Sequence, residues 1–213
     1  MSASSGGTPE QDATGLAAGF ADAPTLANDL VRLEPLAPGH GSDLAAAVAV
    51  GELWRTWYTR LPAPDRVPAE IGRRLGLQRA GAMAPWAVVD ARTGRAVGMT
   101  TFMNLDPANR RLEIGSTWLG VEAHGTGINP AAKLLLLERA FEQLGCIAVE
   151  FRTHWHNHQS RAAIARLGAK QDGVLRNHTV WPDGTVRDTV VFSIIDGEWP
   201  TVRAALRARL RHR

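Results

Sequence analysis

Residues 112–137 read LEIGSTWLGVEAHGTGINPAAKLLLL, and the fold turns on them. The stretch opens as an extended strand and closes as an apolar helix. Between the two, Gly125 and Gly127 permit a tight bend in which main-chain N–H groups approach a ligand with no side chains in the way. Asn129 sits where an N-cap belongs, and Pro130 takes the first helical position, where its missing donor costs nothing. The first turn of a helix leaves its amides unpaired and carries the positive end of the macrodipole. The segment from Gly125 to Asn129 is therefore expected to hold an anion, and a diphosphate suits it.

The neighbouring sequence makes this turn part of a crossover. Arg111–Leu119 predicts the strand entering it, the helix is expected over about Pro130 to Leu144, and the β-branched run Ile147–Thr153 predicts a second strand. A strand, helix and strand in that order force the two strands to run parallel. Their carboxyl ends and the helix N-terminus frame a crevice for a long ligand, with phosphates at the turn and a thin arm between the strands, which is the shape of coenzyme A. Two other phosphate chemistries are disfavoured. GVEAHGT at 120–126 has the glycine spacing of a Walker loop but no lysine before Thr126, and no G-x-G-x-x-G opens a βαβ unit. These absences argue against a nucleotide triphosphatase and a dinucleotide-dependent oxidoreductase.

Upstream, Leu30–Leu36 alternates as a first strand, a helix is expected from Ser42 as N-cap to about Leu53, and a second helix over Ala69–Arg79. Trp86–Asp90 and Ala96–Met103 flank ARTGR as a hairpin. Downstream, a short helix over Ser160–Leu167 stops at Gly168, and Val174–Trp181 and Thr185–Ile195 bracket the hairpin signal PDG. The fold class expected is α+β, a single domain with about seven mostly antiparallel strands and one parallel pair. Residues 1–28, rich in Ser, Gly, Ala and Thr, are expected to form a disordered leader, and 29–213 the domain.

Composition narrows the function further. A chain of 213 residues with 45% hydrophobic content buries one substantial core. Cys146 is the single cysteine, which excludes an internal disulfide and a cysteine-based zinc cluster and suits a reducing cytoplasm. No run approaches the roughly 18 apolar residues of a membrane span. Net charge is +3, with five arginines and no acid in the last fifteen residues. Val202, Leu206 and Leu210 recur among those arginines every four residues, so an amphipathic terminal helix is expected and nucleic acid is not the expected partner.

Beyond the second parallel strand comes HWHNHQSRAAIARLGAKQDGVLR at 154–176. With N-x-x-S at 157–160, DGTVRDTVVFSII at 183–195 and EWP at 198–200 in order behind the glycine turn, the chain resembles the GNAT superfamily of acetyl-CoA-dependent N-acetyltransferases. Within it the RimJ/RimL-like branch is the nearer, over roughly residues 29–210. The resemblance implies a twisted sheet with helices on both faces and a splayed parallel pair. It also implies that acetyl-CoA is the cosubstrate, held at Gly125, Thr126, Gly127, Ile128 and Asn129. Glu122 stands where the family's phosphate loop has Gln or Arg. Trp118 and Leu119 match the segment that pairs its main chain with the pantetheine arm, Asn157 the polar residue facing it, and Ser160 a proton donor to the departing thiolate. Glu113 matches the general base of the histone-acetylating members; its alternative is an outward carboxylate paired with Arg110 or Arg111.

His154, His156 and His158 alternate toward one side, and one of them is a second candidate base. No cysteine or acid clusters with them, so no metal is expected. Trp54, Trp57 and Tyr58, among the prolines at 62, 64 and 68, are expected to line the acceptor pocket. The function implied is acetyl transfer to a primary amine, either a protein or peptide N-terminus or a small amine, with a homodimer left open. The rival readings are a catalytically silent acyl-CoA-binding scaffold and a ribosome- or RNA-associated protein using its basic tail.

Overall fold

A computed structural model describes residues 19–211. Among them, eight strands form one sheet in the order β1-β2-β3-β4-β5-β6-β8-β7. The strands are β1 (Leu26–Ala27), β2 (Val31–Pro35), β3 (Met83–Asp90), β4 (Ala96–Asp106), β5 (Arg111–Leu119), β6 (Ala148–His154), β7 (Lys170–Val180) and β8 (Val186–Ile195). Five α-helices accompany them among the described residues: α1 (Gly41–Ala49), α2 (Val67–Arg79), α3 (Ile128–Glu138), α4 (His158–Ala165) and α5 (Trp199–Arg211). All neighbouring strands pair antiparallel except β5 and β6. The expected mixed fold with a single parallel pair is thus observed. No helix of the described residues is long and apolar enough to cross a membrane.

Helices cover the sheet on both faces. On one, α1 and α2 send Leu44, Val48, Val67 and Ile71 onto Ala87, Val89, Met99 and Trp118. On the other, α3 and α5 bury Ala131, Leu136, Leu137, Val202 and Leu206 against Trp86, Phe102, Leu112, Ile114 and Phe151. Strand β3 lies between these layers, with seven of its eight residues closed to solvent, the pattern of a strand covered on both sides. The terminal helix is the amphipathic element its spacing implied. Its arginines are tied to neighbouring chain, Arg203 to Glu142 and Arg207 to Glu138, each at 2.7 Å.

Several boundaries differ from the sequence expectation. Residues 1–18 of the expected leader lie outside the described residues, whereas 19–28 pack on the domain. Phe20 is 1% exposed, Trp86 Nε1 donates to Pro24 O at 2.8 Å, and β1 supplies an eighth strand where seven were expected. Composition could not anticipate a segment held by its neighbours' donors. Helix α1 begins at Gly41 rather than after Ser42, and stops at Ala49 because Gly51 and Glu52 take positive φ. The glycine-turn helix begins two residues early. Gly127, left-handed at φ 96°, is its cap, which puts Asn129 and Pro130 at the second and third helical positions. Pro130 still falls among the donors that the first turn leaves unpaired.

Candidate active site

Strands β5 and β6 pair only from Arg111↔Ala148 to Glu113↔Glu150. Past Glu113 they separate, and a bulge in β5 assists. Between Gly115 and Trp118, β5 carries one residue more than β4 opposite, and Ser116 adopts φ 46° to absorb it. Beyond the bulge, Gly120 N–H donates to Val97 O on β4 at 2.8 Å. Alternation along the strand then turns the N–H and C=O of Leu119 away from β4, over the gap. His124 Nε2 meets that Leu119 carbonyl at 3.0 Å. Trp118, expected to share this role, directs its carbonyl at β4 and buries its indole in the α1–α2 layer.

The glycine turn closes one end of the gap. Gly125 and Gly127 both take positive φ, and Thr126 Oγ1 donates to Ala123 O at 2.8 Å, bracing the loop from below. The first intrahelical bond runs from Ala131 N–H to Gly127 O, so the Ile128 and Asn129 amides lie at the open end of the helix. Ile128 N–H has one long contact, 3.4 Å to Thr126 Oγ1. Glu122 is exposed at the loop's outer edge. Across the gap, Asn157 caps α4 by accepting from Ser160 N–H at 2.9 Å. This cap leaves the Asn157 amide NH2 and the Ser160 hydroxyl as the groups available to a ligand.

Glu113 lies where the strands part. It is 5% exposed, accepts from Asn104 Nδ2 at 2.7 Å and faces Arg152 Nε at 3.5 Å. Asn104 reaches it because a bulge in β4 puts that residue at φ 48°. Burial pushes the Glu113 carboxyl above its usual range, and the Arg152 charge and the Asn104 hydrogen bond only partly offset this. Arg110 and Arg111 are not its partners; Arg111 binds Glu150 instead.

On the same face, rings gather over β6. Trp57 lies 5.3 Å from His154, 5.4 Å from His156 and 5.4 Å from Tyr58. Trp181 stands edge-on to His154 at 5.8 Å, with the Arg60 guanidinium 4.7 Å above it. Trp57 remains 58% exposed, at the rim. Trp54 is not in this group: it packs beside the α1–α2 core. His154 accepts from His156 N–H through Nδ1, and burial, with Arg187 and His156 nearby, pushes its imidazole below the usual range. The expected alternation of three histidines stops at His154, where β6 ends, and His158 belongs to α4. Among the described residues no three metal-ligating side chains gather.

Arg152, Asn104, Trp181 and Arg187 escaped the reading of the sequence. Arg152 alternates with Glu150 and His154, a signal that strand periodicity could have yielded. The other three reach the site through register and bulges.

This arrangement has counterparts among known proteins. The description "Acetyltransferase (GNAT) domain" matches residues 31–170. A curated Bacillus subtilis (strain 168) protein, "Putative ribosomal N-acetyltransferase YdaF", is 36% identical over 106 residues, covering 50% of this chain and 57% of that protein. The chain thus matches little more than half the length of that relative. The crystal structure of a GCN5-related N-acetyltransferase from Brucella melitensis superposes with a TM-score of 0.80 at 32% identity, over 89% of this chain and 86% of the other. Mycobacterium smegmatis RimJ, in complex with CoA-disulfide, shares the fold at a TM-score of 0.72 and 23% identity, covering 84% of this chain and 88% of its own. Because a domain match from the start of β2 to the start of β7 joins a near full-length relative, the splayed strands and the glycine turn between them carry a family identity: the chain belongs to the GNAT acetyltransferases.

Proposed function

We propose that the chain transfers the acetyl group of acetyl-CoA to a primary amine by direct attack in a ternary complex, with no metal and no covalent enzyme intermediate. The observation that carries this reading is the gap that opens between β5 and β6 immediately past Glu113, with the glycine turn at its far end. Amides of Gly125, Gly127, Ile128 and Asn129 would hold the diphosphate, with Thr126 bracing them. The residues fit the group, since the turn is already in left-handed conformations that only glycine adopts cheaply. The pantetheine arm would run along Leu119 and reach Asn157 across the gap.

An alkylamine of pKa ~10 is almost wholly protonated near neutral pH, so a proton must leave before or during attack. Glu113 takes it, directly or through a water; its raised pKa brings it nearer the working pH, where a base is most effective. The nitrogen lone pair then adds to the thioester carbonyl, and Leu119 N–H, facing the gap, stabilises the oxyanion by about 3 kcal/mol. Collapse breaks the C–S bond and Ser160 hands its proton to the leaving thiolate, while the second proton, shed by the cationic nitrogen as the amide forms, restores the Ser160 hydroxyl through solvent. Trp57 and Tyr58 would form the acceptor's entrance.

The acceptor we favour is a protein or peptide N-terminal amine, a reading that the ribosomal name of the B. subtilis relative supports and that would locate the protein in the cytoplasm. A small amine is the second choice. The experiment is to mix purified protein with acetyl-CoA and a panel of N-terminal peptides and small amines, and to follow free thiol. Amine-dependent thiol release with a mass gain of one acetyl group on the acceptor is expected. Tight coenzyme binding without release on any member of the panel overturns the transferase reading in favour of a silent acyl-CoA-binding protein.

A further inference from the structure

The acceptor cleft holds a cation that stands outside the ion pairs of the described residues. Arg187 on β8 lies two residues from Thr189, which pairs with His154 across the β6–β8 ladder, so its side chain shares the face that carries Glu113, Arg152 and His154. Its Nε is closed to solvent and has no hydrogen-bond partner, and among the described residues the guanidinium forms no ion pair. Glu113 is near enough to act on Arg187 electrostatically, but that carboxylate is already engaged by Asn104 and Arg152. Arg60, above the Trp181 ring, adds positive charge from the other wall. The indole N–H of Trp181 is likewise buried without a partner.

An uncommitted guanidinium inside a ring-lined cleft is costly to keep and suited to one task. Its planar fork of donors matches the two oxygens of a carboxylate or a phosphate, and a bidentate pair of this kind is among the strongest hydrogen-bonded contacts in proteins. Arg60, Arg152 and Arg187 oppose the pull of Glu113 and Asp188 on an isolated ammonium, whereas an amine that brings its own negative charge also satisfies Arg187. The same cations favour the neutral, nucleophilic form of the amine. Resting on the transferase reading above and deepening it, we infer that the acceptor carries an anionic oxygen group, carboxylate or phosphate, close to its reacting nitrogen, and that Arg187 binds it.

The test pairs acceptors that differ in that charge, compared at equal concentration of free amine: alanine with alaninamide, phosphoethanolamine with ethanolamine, and N-terminal peptides with Asp or Asn as second residue. Each pair is measured for turnover and, by calorimetry on the CoA-loaded protein, for binding. The wild type is expected to prefer the anionic member of at least one pair by about ten- to a hundredfold. The pair that shows the preference identifies the source as amino acid, phosphate monoester or acidic peptide. In Arg187→Gln the ratio collapses toward one, and in Arg187→Lys, which keeps the charge but loses the fork, an intermediate ratio remains. Equal use and equal binding of both members of every pair by the wild type overturns the inference, as does a preference that survives in Arg187→Gln. Charge-selective binding with no turnover upholds Arg187 as an anion site while removing the transferase reading; turnover without selectivity does the reverse.

Discussion

Two buried ionisable residues show how one physical cause gives opposite outcomes. Burial raises Glu113 and depresses Lys133, because low dielectric disfavours the charged form of each. For Glu113 in its proposed role as base, the raised pKa places the acid limb above the ordinary carboxylate range. Glu113→Gln should therefore lower kcat/KM by about a hundred- to ten-thousandfold and abolish that limb; a pH–rate profile that keeps the limb moves the base to a histidine or solvent. Lys133 is a different matter. It is 5% exposed on α3 and, among the described residues, donates to Thr117 at 2.9 Å and Thr100 at 3.4 Å, and its ammonium is pushed down to about 7. Between that value and the ordinary lysine range the unfolded chain binds a proton that the folded one does not. Stability should accordingly rise with pH from about 7 to about 10.5. Below pH 7 the full penalty, at most ~5 kcal/mol, persists. Thr100 and Thr117 already bond each other at 2.7 Å, so Lys133→Met leaves no orphaned hydroxyl. It should stabilise the protein near pH 7 by about 1–4 kcal/mol and flatten the pH dependence, as urea melts at pH 7 and 10 would show.

At the scale of elements, the site depends on glycines in two different ways. Gly127 caps α3 at φ 96°, a conformation in which any Cβ is strained, at a cost of about 1–2 kcal/mol. Gly127→Ala should weaken acetyl-CoA binding by roughly tenfold or more, read by calorimetry, because the loop that presents the amides must re-form to relieve the strain. Gly115 has no such φ, but a Cβ there would stand 2.7 Å from Glu113 Oε1 and from Met103 Sδ. Gly115→Ala should leave coenzyme affinity nearly intact while lowering kcat, since it displaces the carboxylate and not the glycine turn; an unchanged kcat would mean that Glu113 tolerates the shift. The turn, the helix and the parallel pair were legible because each has a local cause, namely residues that bend, cap or alternate. The cap itself was misplaced by two residues, since Gly and Asn both suit that role and only the backbone conformation chooses between them. The rings of Trp57 and Tyr58 were legible as a group, but Trp54, three residues earlier, turned to the core. Positive φ at Gly51 and Glu52 redirects the chain there, and nothing in local composition announces it.

Across the whole molecule, the segment before β1 behaves as a strap. Arg139 donates to Gly19 O at 2.9 Å and to Asp22 O at 3.2 Å, Gln78 to Ala21 O, and Phe20 enters the core. Phe20→Ala should cost about 3–5 kcal/mol of global stability, visible as a shift in the urea midpoint with an unchanged slope; a loss under 1 kcal/mol would show that the strap is decoration. By itself the sequence determined the order of elements from β2 onward, the crossover with its parallel strands and the glycine turn that opens α3. Each of these is set by interactions between residues a few positions apart. The tertiary structure alone decided that β5 and β6 part at Glu113, that Asn104 and Arg152 hold that carboxylate, and that Arg187, in no ion pair among the described residues, shares its face. Those facts depend on strand register and on two bulges, which arise from packing between segments distant along the chain, and no local pattern encodes them.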